Sequence, residues 1–259
     1  MLSAVLLVAI LPWPAQKPVV GATTISKNGK VEMVYVPAGK FTMGTYLFGR
    51  LAKPVRKVYL DSYWIGKNDV TVAQFRAFCL ATDYKFDWTN MPYGSRWLNY
   101  PMDNVTWFDA RAFCKWAGGD LPTEAQWEKA ARGTDGRNYP WGNKWDSTKL
   151  CASVEGLHVA SRGCGEPVGS FPSGRSPYGC LDMAGNDPQW CLDWYGPYDP
   201  RATRNPTGPK SGAGRVVRGS GYWDTDRASA LCAERVQDDP SDRTGSCTIR
   251  LCMPSQGSR

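Results

Sequence analysis

At 259 residues and 42% hydrophobic side chains, the chain can bury a core of its own without a metal or disulfide framework. Its formal charge of +7 comes from Lys and Arg scattered among Asp and Glu, with no long run of like charge, so no nucleic-acid partner is expected. The sole histidine, His158, excludes metal centres built from several imidazoles and leaves a Ser-His-Asp triad one candidate.

The first residues, MLSAVLLVAILPWPA, form an apolar run of secretory length followed by small residues, with no basic residue before Lys17. Residues 1–30 therefore read as a signal peptide or as a packed strand, and the signal reading places the protein outside the cell or on a cell or virion surface. No stretch approaches the roughly 20 apolar residues of a membrane span. Val31 to Val36 predicts a strand, Phe41 to Met43 a second and Tyr59 to Ile65 a third. Helices are expected over Val72 to Leu80, Trp107 to Trp116 and Glu124 to Arg132. Each is preceded by a threonine, Thr71, Thr106 or Thr123, with Gln74, Asp109 or Gln126 three residues on, the spacing at which two side chains cap the first turn reciprocally. Gly118 and Gly133 suit the exits of the second and third helices.

Beyond Gly133 helical periodicity gives way to Gly, Pro, Asp, Ser and Trp at short intervals, which predicts ordered loop between short strands. Leu181 to Asp182, Val216 to Arg218 and Ile249 to Cys252 are the strand candidates. No repeat or linker divides the chain, so one domain is expected from 31 to 254, with a tail at 255–259. The nine cysteines include no CxxC pair, which argues against a zinc ribbon. Cys151 and Cys164 bracket one loop and are the first candidates for a disulfide, the connectivity staying open.

The strings MVYVPAGKFTMGT, YWIGKNDVTVAQFRAF, VTWFDARAFCKWAG, LPTEAQWEKAARG, YPWGNKWD, PVGSFPSGRSPYGCLDMAGN and NPTGPKSGAGRVVRG stand in this order between Met33 and Leu251. In sequence and order they resemble the formylglycine-generating-enzyme or sulfatase-modifying-factor family. The resemblance implies an α+β chain with a C-type-lectin-like fold, in which short twisted sheets, about three helices and much ordered loop make one domain. On their own, LPTEAQW describes a proline-led, capped helix, and the Trp-rich blocks read as core.

Family oxidases convert a substrate cysteine to formylglycine with two cysteines that hold copper. Aligning Cys-Ala-Glu-Arg at 232–235 with the family's Cys-Ala-Ala-Arg places Cys232 at the second cysteine and Arg227 at the first. A guanidinium opposite one thiol is a poor site for Cu(I), which prefers soft thiolates. The expectation is a non-catalytic member, the alternative a copper-dependent oxidase acting through Cys232 on a sulfatase-like substrate. The resemblance also implies a calcium loop at Asp182, Gly185, Asp187 and Gln189, with Gln189 replacing the family's Glu. The family's other calcium loop expects Asn where Cys151 stands.

The carboxy-terminal stretch is similar to that of the variable proteins of diversity-generating retroelements, which display a mutable ligand-binding face on this fold. Arg235, Pro240, Arg243 and Arg250 keep the spacing of that layout. Around them lie Tyr222, Trp223, Asp224, Asp226, Arg227, Ser229, Asp238, Asp239, Asp242, Thr244 and Ser246, a mixture of rigid aromatic and adaptable polar side chains suited to a protein or other macromolecular ligand. Glu234, Gln237 and Thr248-Ile249-Arg250 depart from the retroelement pattern. Such a surface predicts Tyr222, Trp223 and the aspartates exposed on one face.

Overall fold

The computed structural model describes residues 18–47, 52–89, 97–153 and 165–255. The expectations for His158, for Cys164 and its pairing with Cys151, and for residues 1–17 lie outside the described residues. Four antiparallel strands, β1 (Thr23–Ile25), β2 (Glu32–Val36), β5 (Tyr63–Gly66) and β9 (Cys252–Pro254), form a sheet in the order β1-β2-β5-β9. β3 (Gly39–Met43) and β4 (Arg56–Leu60) form a hairpin, and β6 (Gln189–Trp194), β7 (Arg215–Arg218) and β8 (Val236–Asp238) a second antiparallel sheet. The helices are α1 (Val72–Thr82), α2 (Trp107–Ala117) and α3 (Glu124–Arg132). Among the described residues, no helix is long and apolar enough to cross a membrane.

All three helices begin as the threonine spacing predicts. Thr71, Thr106 and Thr123 each accept from the third helical backbone N–H, while Gln74, Asp109 and Gln126 reach back to the cap. Each cap contributes about 1 kcal/mol, enough to fix where a helix of 9 to 11 residues starts. Gly118 then ends α2 in the left-handed conformation.

Two strand expectations are corrected. Tyr59 to Ile65 is two strands in two sheets, because the chain turns at Asp61 and Ser62, where the Asp61 N–H donates to Asn205 Oδ1 and Arg204 pairs with the Asp61 carboxylate. Leu181 to Asp182 is a turn, with Asp182 held at φ +55°. At the carboxy terminus the regular strand is Cys252–Pro254, although the Ile249 and Leu251 carbonyls accept from Val70 and Gly66. The sequence reading missed β6 and β8, and β1 falls within the residues 1–30 read as a signal peptide or a packed strand.

Helices α1 and α2 pack Phe75, Phe78 and Phe113 with Trp190, Ile249 and Leu251 into one core. α3 presents Trp127, Ala130 and Ala131 to Val36, Phe41, Val58 and Ile65 in another. The adjoining face of α3 carries the buried carboxylates Glu124 and Glu128, on which Arg218 and Arg235 are anchored.

Candidate functional site

The stretch between β7 and β8 is clamped at both ends to α3. Arg218, fully buried, donates to the Glu128 carboxylate and lies 3.2 Å from Glu124 Oε1, while its Nη1 reaches the Cys232 and Glu234 carbonyls at 3.1 and 2.6 Å. Arg235 closes the far end with two bonds to Glu124, at 2.6 and 2.8 Å. These guanidinium groups fix the ends, and between them the chain reaches solvent around residues 223–227 before Ala230 to Ala233 return to the interior.

Within that stretch Gly221 N donates to Asp224 Oδ2 at 2.8 Å, and Ala228 N to Asp226 Oδ1 at 2.9 Å. Ser153 ties the turn down through its N–H to the Asp224 carbonyl and its hydroxyl to the Tyr222 carbonyl, and Tyr222 N donates to the Asn186 carbonyl. Trp223 is 41% exposed and meets Tyr222 edge-on at 4.9 Å, whereas Tyr222 is half-buried. Asp226 and Arg227 are exposed, while Asp224 and Ser229 are half-buried.

Beneath Arg227 lies an aromatic floor that the sequence reading assigned to the core. Tyr139 and Trp141 stack at 5.3 Å and 7°, Trp145 stands edge-on to Tyr139 at 5.3 Å, and the Arg227 guanidinium sits 5.5 Å over Trp145. Tyr139 is buried; Trp141 and Trp145 are half-buried. The signal available was three aromatics within seven residues of a Gly- and Asn-containing loop.

The second group of candidate residues is mounted elsewhere. Asp238 pairs with Arg215 and Val236 with Val217, so the chain beyond Asp238 leaves the strand pair at the end opposite Tyr222. Three residues of strand separate the two exits, about 10 Å. Asp239 and Asp242 accept from the Ser241 and Thr244 backbones in short local turns, Ser246 reaches Asn104, and Arg243 pairs with Asp109 at 2.9 Å while lying over Phe86. The expected single face is therefore two adjoining loops, one resting on the aromatic floor and the other on the start of α2.

Cys232 is fully buried. Its N–H donates to the Asn138 carbonyl at 2.7 Å, and burial pushes its thiol up to about 12. Asp182, Gly185, Asp187 and Gln189 form a tight turn in which Gly185 is held at φ +79°, and any side chain there would meet the Cys151 carbonyl oxygen 2.4 Å away. Gln189 Oε1 accepts from Trp127 Nε1 at 2.7 Å and Arg250 Nε at 2.6 Å, and its Nε2 donates to the Asp182 carbonyl. Arg250 also donates to Asp69 and to the Leu181 and Asp182 carbonyls. Asp182 Oδ2 accepts from Gly169 N.

Asp187 is buried with Oδ1 lacking a hydrogen-bond partner, and burial together with Asp103 holds its carboxyl far above the usual range. Asp103, whose Oδ1 is likewise orphaned, is pushed up to about 7 by burial.

The family described as sulfatase-modifying factor enzyme 1-like domain matches residues 21–254 of this chain. The chain belongs to this family. It is 32% identical to the formylglycine-generating enzyme of Streptomyces coelicolor, over 92% of this chain and 93% of that protein. It is 30% identical to the inactive C-alpha-formylglycine-generating enzyme 2 of Bos taurus, over 84% and 88%. A relative named serine/threonine-protein kinase pkn1, from Chlamydia caviae, is 32% identical over 81% of this chain, which spans only 36% of that longer protein. Among solved structures, PvdO from Pseudomonas aeruginosa superposes with a TM-score of 0.78 at 24% identity, covering 93% of this chain and 100% of that one. Treponema denticola variable protein 1 gives 0.72 at 21%, covering 90% and 99%. Both share the fold.

Against the family's copper pair, Cys232 and Arg227 do not fit: one thiol is enclosed in the core, and a solvent-facing cation occupies the other position. At the residues of the family's calcium loop, both lone pairs of the Gln189 carbonyl are occupied by nitrogen donors and the Asp182 carbonyl carries two more, while Asp187 Oδ1 is left without a hydrogen-bond partner. Among the described residues, no group of three or more His, Cys, Asp or Glu side chains is arranged to hold a metal ion.

Proposed function

We propose that this protein is a non-catalytic, ligand-binding member of the sulfatase-modifying-factor family. Its contact surface is the loop carrying Tyr222, Trp223, Asp226 and Arg227 over the Tyr139, Trp141 and Trp145 floor, with the loop of Asp239, Asp242 and Thr244 beside it. One observation carries the reading. Arg227, which the resemblance puts at the family's first cysteine, faces solvent over Trp145, while Cys232, which it puts at the second, is sealed and held as a neutral thiol. A nucleophilic or metal-binding sulfur must be a reachable thiolate, and this one is neither.

The composition of the surface supports a macromolecular ligand. Trp223 offers rigid apolar area at low entropic cost, and Asp226, Asp239 and Thr244 supply hydrogen bonds around it. Clamping by Arg218 and Arg235 lowers the cost of ordering the loop on binding. A relative of similar length is named as inactive.

The test is an assay of the purified protein with a Cys-containing sulfatase peptide, Cu(I) and oxygen, read by mass spectrometry. Unchanged peptide is expected. Conversion of the cysteine to formylglycine, abolished by Cys232→Ser, overturns the reading in favour of the oxidase.

A further inference from the structure

A cavity of about 330 Å³ lies away from the surface described above, between β4, the start of α3 and residues 196–210. Met43, Ala125, Pro197, Pro206 and Pro209 make its wall largely apolar, and Arg56, Glu124, Asp193 and Arg235 gather at one end. The Arg56 guanidinium carbon lies over the Tyr198 ring, 4.0 Å from its centroid. Its Nε and Nη1 are shielded from solvent and have no hydrogen-bond acceptor.

The neighbouring carboxylates do not answer it, because other donors hold them. Glu124 takes both bonds of Arg235, the Tyr198 hydroxyl at 3.0 Å and Arg218 at 3.2 Å. Glu128 takes Arg132 at 2.8 Å, the Gly44 N–H at 2.7 Å and Arg218. Asp193, whose Oδ2 accepts from Glu124 N, is pushed up to about 7 by burial, which weakens it as a counter-charge. Asp199, which also lines the cavity, is exposed and paired with Arg201, so Arg56, Arg132, Arg218 and Arg235 face Glu124, Glu128 and Asp193 in the interior. The buried group holds an excess of positive charge at the closed end of an apolar cavity, and Lys210, also lining the cavity, adds to it. An uncompensated guanidinium in such a place calls for an oxyanion.

We propose that this cavity binds a small organic acid, with its carboxylate against Arg56 and its carbon skeleton along the proline-lined wall. A planar carboxylate matches the guanidinium fork. The volume lies at the lower end for small-molecule sites and suits a compact acid. Phosphate, tetrahedral and without a carbon skeleton, would leave the apolar wall unused. The site shares Glu124 and Arg235 with the clamp of that loop but does not rest on the reading given to the loop surface.

The proposal is tested by titrating the full chain with butyrate and benzoate at constant ionic strength, followed by amide ¹H–¹⁵N spectra. Saturable shifts at Gly196, Ala202 and Gly208 are expected, with affinity falling at least tenfold in Arg56→Gln and less in Arg56→Lys. Equal affinity in Arg56→Gln, shifts confined to other regions, or no saturable response overturns the site. Inorganic phosphate binding as tightly as butyrate overturns the carboxylate assignment. A peptide carboxy terminus, acetyl-Ala-Ala, binding more tightly than either acid overturns the assignment to a free acid in favour of a chain terminus. Should Arg56→Gln not fold, the map of shifts in the unaltered chain together with Arg56→Lys decides between these outcomes.

Discussion

Arg218 and Glu128 meet in the interior with neither side chain retaining any exposure, and their contact joins the end of β7 to the middle of α3. Glu128 also receives Arg132 from its own helix and the Gly44 N–H, so one carboxylate connects three segments of chain. Removing it takes a carboxylate from two buried guanidinium groups, leaving Arg132 with carbonyl acceptors alone and Arg218 with Glu124 at 3.2 Å. Glu128→Ala is expected to destabilise the fold by about 3–5 kcal/mol, the usual cost of breaking a buried pair by deleting one partner. Chemical denaturation checks this, and a loss under 1 kcal/mol would mean that water reaches the network.

Asp103 and Asp187 give stability a pH dependence of definite sign. Both carboxyls are raised in the folded state, Asp103 to about 7 and Asp187 well above its ordinary value, with burial the leading cause in each. The folded state therefore binds more protons than the unfolded state above about pH 4, and stability falls as pH rises from there through 7. Asp187→Asn removes one charge and is expected to raise the melting temperature at pH 8 by several degrees and at pH 4.5 by much less. Equal shifts at the two pH values would show that the pair does not titrate as the burial requires.

The Asp182 to Gln189 turn is built from protein donors, and its stability is expected to be indifferent to calcium. Millimolar Ca²⁺ or EDTA should move the melting temperature by less than about 1 °C; a bound ion at one hundred times its dissociation constant would add about 2.7 kcal/mol, several degrees for a domain of this size. A calcium-dependent rise would require Gln189 to release Trp127 and Arg250.

Features set by neighbouring residues were legible in the sequence. Thr71 with Gln74, Thr106 with Asp109 and Thr123 with Gln126 are decided within four residues, and their helices start where that chemistry puts them. The family and its fold were legible from ordered blocks spread along the chain. The break between β4 and β5 was not, because Asn205 and Arg204 hold the corner from more than 140 residues away. Nor was the floor beneath Arg227: Tyr139 and Trp145 look like core in a linear reading, and the two stretches meet through the docking of Cys232 N on the Asn138 carbonyl and the packing of Ala230 and Leu231 with Tyr139. The cavity at Arg56 escaped for a related reason, since a lone arginine in a strand says nothing of which carboxylates other arginines have already taken.

Because Arg218 and Arg235 both close on Glu124, α3 dictates how far apart the termini of the intervening stretch stand, and the stretch itself does not. Lengthening such a stretch adds only the slowly growing entropy of a larger ring. Residues 222–229 can thus be exchanged wholesale, much as an engineer swaps the tip of a tool while leaving its shank in the chuck.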